Sequence, residues 1–151
     1  MLICAVDVDL LTRWITAIDF ADWPQQHRLA DGQIRPSMVT DLGWYGFGSE
    51  TEEIVRTMLS HFPGCQDYQR MLSVVMPGHS IAPHVDGQSK NWMCRVHVPL
   101  TSNDKSHFIV AGEPVHMAPG FAYRVDTTIE HAVTNEGDTP RIHFMFDVGR
   151  P

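Results

Sequence analysis

The stretch WMCRVHVPLTSNDKSHFIVA, residues 92–111, predicts two β-strands joined by a turn. Apolar residues alternate with polar ones in its first half, and the Ser102-Asn103-Asp104 group is typical of a turn. The same pattern of short strands and turns extends in both directions, from Tyr68 to Val148. The predicted strands are Gln69–Met76, Trp92–Leu100, His107–Ala111, Ala122–Val125, Ala132–Asn135 and Arg141–Val148. The C-terminal half is therefore predicted to be built from β-strands.

A short strand and two helices are predicted before these strands. Leu2–Val8 is expected to form the first strand. Apolar residues at helical spacing predict a helix over Leu10–Phe20, which a preceding aspartate would cap. Ser49 is a suitable capping residue for a second helix, whose apolar positions run over Ile54–Phe62. Helices followed by many short strands predict a mainly β (α+β) fold, an antiparallel sandwich or barrel with the N-terminal helices packed on one side.

The composition fits one globular domain of 151 residues, with 43% hydrophobic and 19% charged residues. We expect its β core to span residues 68–148, with residues 1–67 supporting it. The formal net charge of −7 argues against binding to nucleic acid, which needs a basic surface. Cys4, Cys65 and Cys94 show no pairing or zinc-like spacing, and no signal peptide or transmembrane helix is predicted. These features favour a cytoplasmic protein without membrane contacts and leave its oligomeric state open.

The His84-Val85-Asp86 tripeptide and the later His131 are the candidate metal ligands. Residues two apart in an extended segment face the same side, so His84 and Asp86 would both reach one ion. Two imidazoles and one carboxylate occupy one face of an iron(II) octahedron, although these ligands alone would accept several divalent metals. Such tripeptides are also common by chance, and in the alternative interpretation these are ordinary surface or core side chains.

Arg141 and Ser73 are candidate anion-binding residues. Arg141 begins a strand on which Ile142, Phe144 and Phe146 form an apolar face, and arginine is rarely buried without a partner. A buried guanidinium would hold a carboxylate bidentately, whereas an exposed one would only end the strand. Ser73 is either a small satisfied polar residue or a second donor to the same carboxylate.

Arg95 and His97 share one face of the predicted strand Trp92–Leu100. If that face points inward, two polar side chains there are costly unless they serve a site. If it points outward, both are simply solvated. The residues alone leave the two interpretations open.

The C-terminal half also contains a series of motifs in a specific order and spacing. They are Pro77-Gly78, Pro83-His84, Arg95-Val96-His97-Val98-Pro99-Leu100, Val110-Ala111-Gly112-Glu113, Pro119-Gly120, Asp126, Glu130-His131, Asn135 and Arg141 through Val148. With these motifs, the region from Ser73 to Val148 resembles the aspartyl/asparaginyl β-hydroxylase family of iron- and 2-oxoglutarate-dependent oxygenases. The N-terminal seventy residues are similar to the family only loosely.

The resemblance implies a double-stranded β-helix, the jelly roll that cupins share, and it implies roles for the candidate residues. His84 and His131 would bind iron(II), and Asp86 would complete the catalytic triad of ligands. The presence of Asp86 argues against a halogenase, which needs that position vacant for halide. Ser73 and Arg141 would hold the distal carboxylate of 2-oxoglutarate.

The remaining implied roles concern the rest of the site. Arg95 and His97 would lie near the iron-chelating end of the co-substrate or near the substrate. Arg95 or Arg124 would meet a substrate carboxylate. The aromatic, glycine-rich segment Gly43–Gly48 is interpreted either as a lid over the site or as a turn that packs on the barrel.

The implied reaction is hydroxylation of an unactivated C–H bond with iron(II), 2-oxoglutarate and O2, with release of succinate and CO2. The expected substrate is an amino acid or a peptidyl Asp/Asn-like residue. The alternative is a cupin-like barrel that binds a metal or small ligand without oxidising anything. Such a barrel would need the histidines and Asp86, but not Ser73 and Arg141, so these two residues favour the enzyme.

Overall fold

The computed structural model describes residues 1–16, 37–41 and 49–151. Within these ranges the helices are α1 (Asp9–Thr16) and α2 (Ser49–Leu59). The strands are β1 (Leu2–Ala5), β2 (Ser37–Asp41), β3 (Gln66–Val75), β4 (His79–His84), β5 (Trp92–Thr101), β6 (Ser106–Val110), β7 (Glu113–Val115), β8 (Phe121–Val125), β9 (His131–Asn135) and β10 (Arg141–Gly149).

The strands form two antiparallel sheets. The larger sheet has the order β1-β8-β5-β10-β3-β2, and the smaller sheet has the order β4-β9-β6-β7. Strand β10 lies between β5 and β3, and every one of its residues is buried. This arrangement confirms the double-stranded β-helix, or jelly roll, that the motifs implied.

The outer face of the larger sheet packs against the two helices. Leu11 of α1 and Met58 of α2 are buried in one cluster with Val74, Val98 and Phe144 of the central strands. The predicted packing of N-terminal helices on one sheet is therefore confirmed. No helix in the described ranges has the length and apolar composition needed to cross a membrane.

The inner face of the larger sheet turns toward the smaller sheet and is much more polar. A small apolar cluster that includes Phe108, Val125 and Val133 fills part of the space between the sheets. Successive side chains of a strand point to opposite faces of the sheet. Since the apolar residues of β3, β5 and β10 point outward to the helices, the residues between them point inward to the cavity. The polar residues singled out in the sequence lie at these inward positions.

The predicted strands that were assigned from Tyr68 onward are confirmed to within a few residues, but the first strand is shorter than expected. It ends at Ala5, and Oδ1 of Asp7 accepts a hydrogen bond from the backbone N–H of Asp9, the first residue of α1, at 3.0 Å. Asp7 thus caps α1 instead of extending β1. The predicted continuation of α1 to Phe20, and the Gly43–Gly48 segment, lie outside the described residues.

Three strands, β2, β4 and β7, are absent from the sequence prediction, and all three lie at sheet edges. An edge strand has one neighbour instead of two, so it is less constrained to a hydrophobic alternation. Strands β4 and β7 also contain Pro83 and Pro114, which argue against a strand in sequence but are tolerated at an edge.

Candidate metal centre and anion pocket

The predicted metal ligands come together where β4 and β9 meet. His84 ends β4, His131 begins β9, and the two are direct partners in the antiparallel register. Asp86 follows in the next loop, where its backbone N–H donates to the carbonyl of Thr127 at 3.0 Å. One ligand atom from each of the three side chains lies within 4.8 Å of the others. The structure therefore brings the three predicted ligands together at one place.

The hydrogen bonds of both imidazoles prepare them for a metal. Nδ1 of His84 lies 2.8 Å from the carbonyl of Ala82, and Nδ1 of His131 lies 2.9 Å from that of Ile129. A carbonyl only accepts, so each Nδ1 carries a proton, and in the neutral ring each Nε2 would present its lone pair to a metal. These Nε2 atoms lie 3.6 and 4.0 Å from the carboxylate of Asp86. Burial lowers the pKa of His131, which favours the neutral form that binds metal.

Asp86 is itself held in place by Arg95. Nη1 of Arg95 donates to Oδ2 of Asp86 at 2.7 Å. Nε and Nη2 of the same guanidinium donate to the two carboxylate oxygens of Asp147, at 2.8 and 2.9 Å. Asp147 is fully buried and also accepts a hydrogen bond from the Trp92 indole at 3.2 Å. One buried carboxylate thus orients an arginine, which orients the acidic metal ligand.

A cavity of about 580 Å³ extends from this centre into the space between the sheets. All seven predicted site residues line it, together with apolar side chains of β3, β4, β9 and β10. The predicted site residues are Ser73, His84, Asp86, Arg95, His97, His131 and Arg141. The inward interpretation of Arg95 and His97 is therefore the correct one.

Arg141 lies on the wall of this cavity and is only 2% exposed. Its Nη2 contacts Nδ1 of His143 at 2.9 Å, and its Nη1 has no hydrogen-bond partner among the described residues. Burial lowers the pKa of Arg141 to about 9, so the guanidinium is still a cation at neutral pH. A buried cation with a free donor is suited to an anionic ligand. Ser73, on the neighbouring strand β3, is also 2% exposed and lines the same cavity.

Two buried residues at the site had no role in the sequence prediction, His143 and Asp147. His143 is the direct partner of Ser73 across β10 and β3, and Asp147 is the direct partner of Arg95 across β10 and β5. The alternation that placed Arg141 on one face of β10 continues through both positions, and that signal could have found them. His97 lies beside His143, with 3.4 Å between their Nδ1 atoms.

Arg124 does not belong to the cavity wall. It lies on β8 next to the inward residue Val125, and its side chain is exposed. Its strand position pairs with Val96, on the face that turns toward the helices. Of the two arginines considered for a substrate carboxylate, only Arg95 lines the cavity.

The donor set fits iron(II) and an organic dianion together. Two neutral imidazoles and one carboxylate form the facial triad of non-haem iron oxygenases and leave coordination positions open. In the same cavity, the free Nη1 of Arg141 supplies a donor for a carboxylate. A dicarboxylate whose one end binds the metal would satisfy both features.

Solved structures with the same fold include several oxygenases. EvdO2 from Micromonospora carbonacea var. aurantiaca, solved with 2-oxoglutarate, is similar over 97% of this chain and 84% of its own, with 11% identity and a TM-score of 0.63. A Pseudomonas putida prolyl-4-hydroxylase is similar over 97% and 89%, with 14% identity and a TM-score of 0.52. A Burkholderia pseudomallei oxidoreductase of the 2OG-Fe(II) oxygenase family is similar over 71% and 55%, with 14% identity and a TM-score of 0.52. At these identities the similarity concerns the fold.

No protein of the curated set is significantly similar to this chain in sequence. The sequence profile described as Aspartyl/Asparaginyl beta-hydroxylase matches residues 48–151, which include the metal triad, Arg141 and the strands that carry them. Because this match spans more than half of the chain, the chain belongs to the aspartyl/asparaginyl β-hydroxylase family and is a 2-oxoglutarate-dependent hydroxylase.

Proposed function

We propose that this enzyme hydroxylates an unactivated C–H bond of an amino acid or of an Asp/Asn-like residue in a peptide. The balanced reaction converts the substrate, 2-oxoglutarate and O2 into the hydroxylated product, succinate and CO2. The observation that carries the proposal is the buried, half-satisfied guanidinium of Arg141 in the same cavity as the His84, Asp86 and His131 triad.

Different residues of the cavity would bind the metal and the co-substrate. His84, Asp86 and His131 would hold iron(II), which with bound 2-oxoglutarate supplies the oxidising chemistry. Arg141 and Ser73 would hold the distal carboxylate and so fix the direction in which the co-substrate lies. The barrel wall keeps water away from the buried end of the cavity, where Arg141 is only 2% exposed.

Arg95 and His97 would shape the end of the co-substrate near the metal. Arg95 already donates to the carboxylates of Asp86 and Asp147, so its main role would be to orient the Asp86 carboxylate toward the metal. His97 is 4% exposed, and its ring packs edge-on against Phe108 with 5.1 Å between centroids. Its Nε2 has no partner among the described residues, which leaves that atom for a ligand.

The size of the cavity supports a substrate with a small reacting part. About 580 Å³ must hold the co-substrate, the metal and the carbon to be hydroxylated. Val85 and Ile129, beside the ligands Asp86 and His131, are 56% and 44% exposed. They would give an apolar border to the entrance, against which the rest of an amino acid or peptide would rest.

The decisive experiment is anaerobic absorption of the protein with iron(II) and 2-oxoglutarate. We expect a visible charge-transfer band that is lost in His131→Ala and weakened in Arg141→Ala. His79→Ala is the matched control, because His79 is an exposed histidine on the same strand as His84. Succinate release would then be screened across free amino acids, proline included, and peptides that contain Asp or Asn. A folded protein that binds metal but gives no band with 2-oxoglutarate would overturn the proposal.

A further inference from the structure

We propose that His143 is a positioning residue that fixes the guanidinium of Arg141 for a distal carboxylate and thereby makes the pocket selective for 2-oxo dicarboxylates. This inference rests on the proposed function, because it assumes that 2-oxoglutarate is the ligand of Arg141. His143 is not itself expected to touch the reacting atoms.

The contact between the two side chains defines the protonation of His143. They lie two residues apart on the inward face of β10, and Nη2 of Arg141 is 2.9 Å from Nδ1 of His143. A guanidinium can only donate, so Nδ1 of His143 must be the acceptor. The neutral ring then carries its proton on Nε2.

His97 lies next to the same nitrogen of His143. Its Nδ1 lies 3.4 Å from Nδ1 of His143, which already presents a lone pair to Arg141. An imidazole nitrogen has one lone pair, and that of His143 Nδ1 already accepts from Arg141, so the contact from His97 is at most a weak second one. His143 thus contacts both Arg141 and His97, which line the same cavity.

A purely structural role does not explain a histidine at this position. His143 is 0% exposed, and its Nε2 has no hydrogen-bond partner among the described residues. Burying a polar ring with an unsatisfied atom is costly, and an apolar side chain would fill the space without that cost. What the histidine provides is an acceptor that holds one side of the guanidinium and leaves Nη1 available to a ligand.

The test compares two ligands that differ only at the distal end. Calorimetry on the manganese(II)-loaded protein would measure binding of 2-oxoglutarate and of 2-oxopentanoate, which has a methyl group in place of the distal carboxylate. His143→Leu should weaken 2-oxoglutarate roughly tenfold or more, because a hydrogen bond that orients a charged group is lost. Binding of 2-oxopentanoate should change less than about twofold.

Rescue by a matched variant separates positioning from packing. The side-chain oxygen of His143→Asn lies near the position of the imidazole Nδ1, so this variant should recover most of the affinity for 2-oxoglutarate. In turnover with substrate, His143→Leu should raise KM for 2-oxoglutarate and leave kcat largely intact. If the leucine variant does not fold, His143→Met takes its place with the same expectations.

The outcomes distinguish this inference from the function on which it rests. Wild type that fails to bind 2-oxoglutarate would overturn both. Wild type that binds it, with His143→Leu binding equally well, would overturn only the role of His143. Equal weakening of both ligands, or no rescue by His143→Asn, would show that the residue merely packs.

Discussion

Asp147 and Arg95 are direct partners on β10 and β5, and two hydrogen bonds of 2.8 and 2.9 Å join their carboxylate and guanidinium groups. Their geometry is bidentate, and Asp147 is completely buried while the Arg95 side chain is 13% exposed. The pair reaches the metal centre because Nη1 of Arg95 continues to Asp86. Arg95 therefore connects the candidate ligand Asp86 to a buried carboxylate that lies outside the candidate metal centre.

Asp147→Asn should weaken both the fold and the metal centre. Removing one partner of a buried ion pair costs about 3 kcal/mol or more, because the remaining charge has no compensation. Loss of a direct partner of a metal ligand typically weakens metal binding by about 10- to 100-fold, and Asp147 acts through Arg95, so the loss should not exceed that range. Chemical denaturation and a metal titration would measure the two effects.

The matched control for Asp147→Asn is Glu52→Gln. Glu52 pairs with Arg70 at the surface, where the Glu52 side chain is 67% exposed, so its loss should cost less than about 1 kcal/mol. An Asp147→Asn protein with unchanged metal affinity would show that Arg95 does not need its partner to orient Asp86.

Arg141→Met should stabilise the protein in the absence of 2-oxoglutarate. A buried cation without a carboxylate partner carries a desolvation cost, and a methionine of similar length fills the space without that cost. The same variant should lose the rise in melting temperature that 2-oxoglutarate gives the metal-loaded wild type. Arg70→Met is the contrasting control, since Arg70 is ion-paired and its loss should lower stability. A clear loss of stability in ligand-free Arg141→Met would contradict the prediction.

The stability of the metal-free protein should fall as the pH falls below about 6.5. Burial first, and then the charge of Arg141, holds the pKa of His97 and of His143 well below the usual 6.5. The unfolded chain takes up protons on these imidazoles near 6.5 and the folded chain does not, so acid favours unfolding. Each group adds a slope of up to about 1.4 kcal/mol per pH unit.

Urea denaturation between about pH 7 and pH 5 would measure this slope. His143→Phe removes one of the two groups and should make the dependence shallower. Equal slopes for wild type and His143→Phe would show that His143 takes up its proton without unfolding.

Ala111→Asn should stabilise the hairpin between β6 and β7. Ala111 and Gly112 form its two-residue turn, and their φ angles of 49° and 83° are both in the left-handed region. Such turns favour asparagine followed by glycine, and alanine is strained there. We expect a gain of about 0.5–1 kcal/mol in the free energy of unfolding. A loss of stability on denaturation would show that the turn is not of this type.

Much of the fold could be predicted because the central strands bury one complete face. The alternation in β5 and β10 is visible in sequence, since each strand must be apolar toward the helices and polar toward the cavity. The edge strand β4 has no such requirement, and Pro83 obscures it further. The metal triad could still be predicted, because two of its ligands are close in sequence and the family motifs mark the third.

The partners of Arg95 could not be predicted in the same way. Its pairing with Asp147 depends on the register between β5 and β10, in which residues 52 positions apart in sequence lie opposite each other. The family resemblance implied that Arg95 lies near the iron-chelating end of the co-substrate or near the substrate, and the structure shows its guanidinium hydrogen-bonded to Asp147 and Asp86. The alternation of β10 predicts that His143 faces inward, but its contacts with Arg141 and His97 appear only in the structure.

The position of β10 has a consequence for how the enzyme matures in the cell. This strand follows all the others in chain order but lies between β3 and β5. During synthesis on the ribosome, the edges of β3 and β5 that will pair with β10 therefore remain unpaired until residues 141–149 emerge. Nascent chains at that stage expose the surfaces that aggregate or recruit chaperones. The amount of active enzyme would then depend on whether the exposed edges of β3 and β5 are kept from aggregating before the fold is complete and metal can bind.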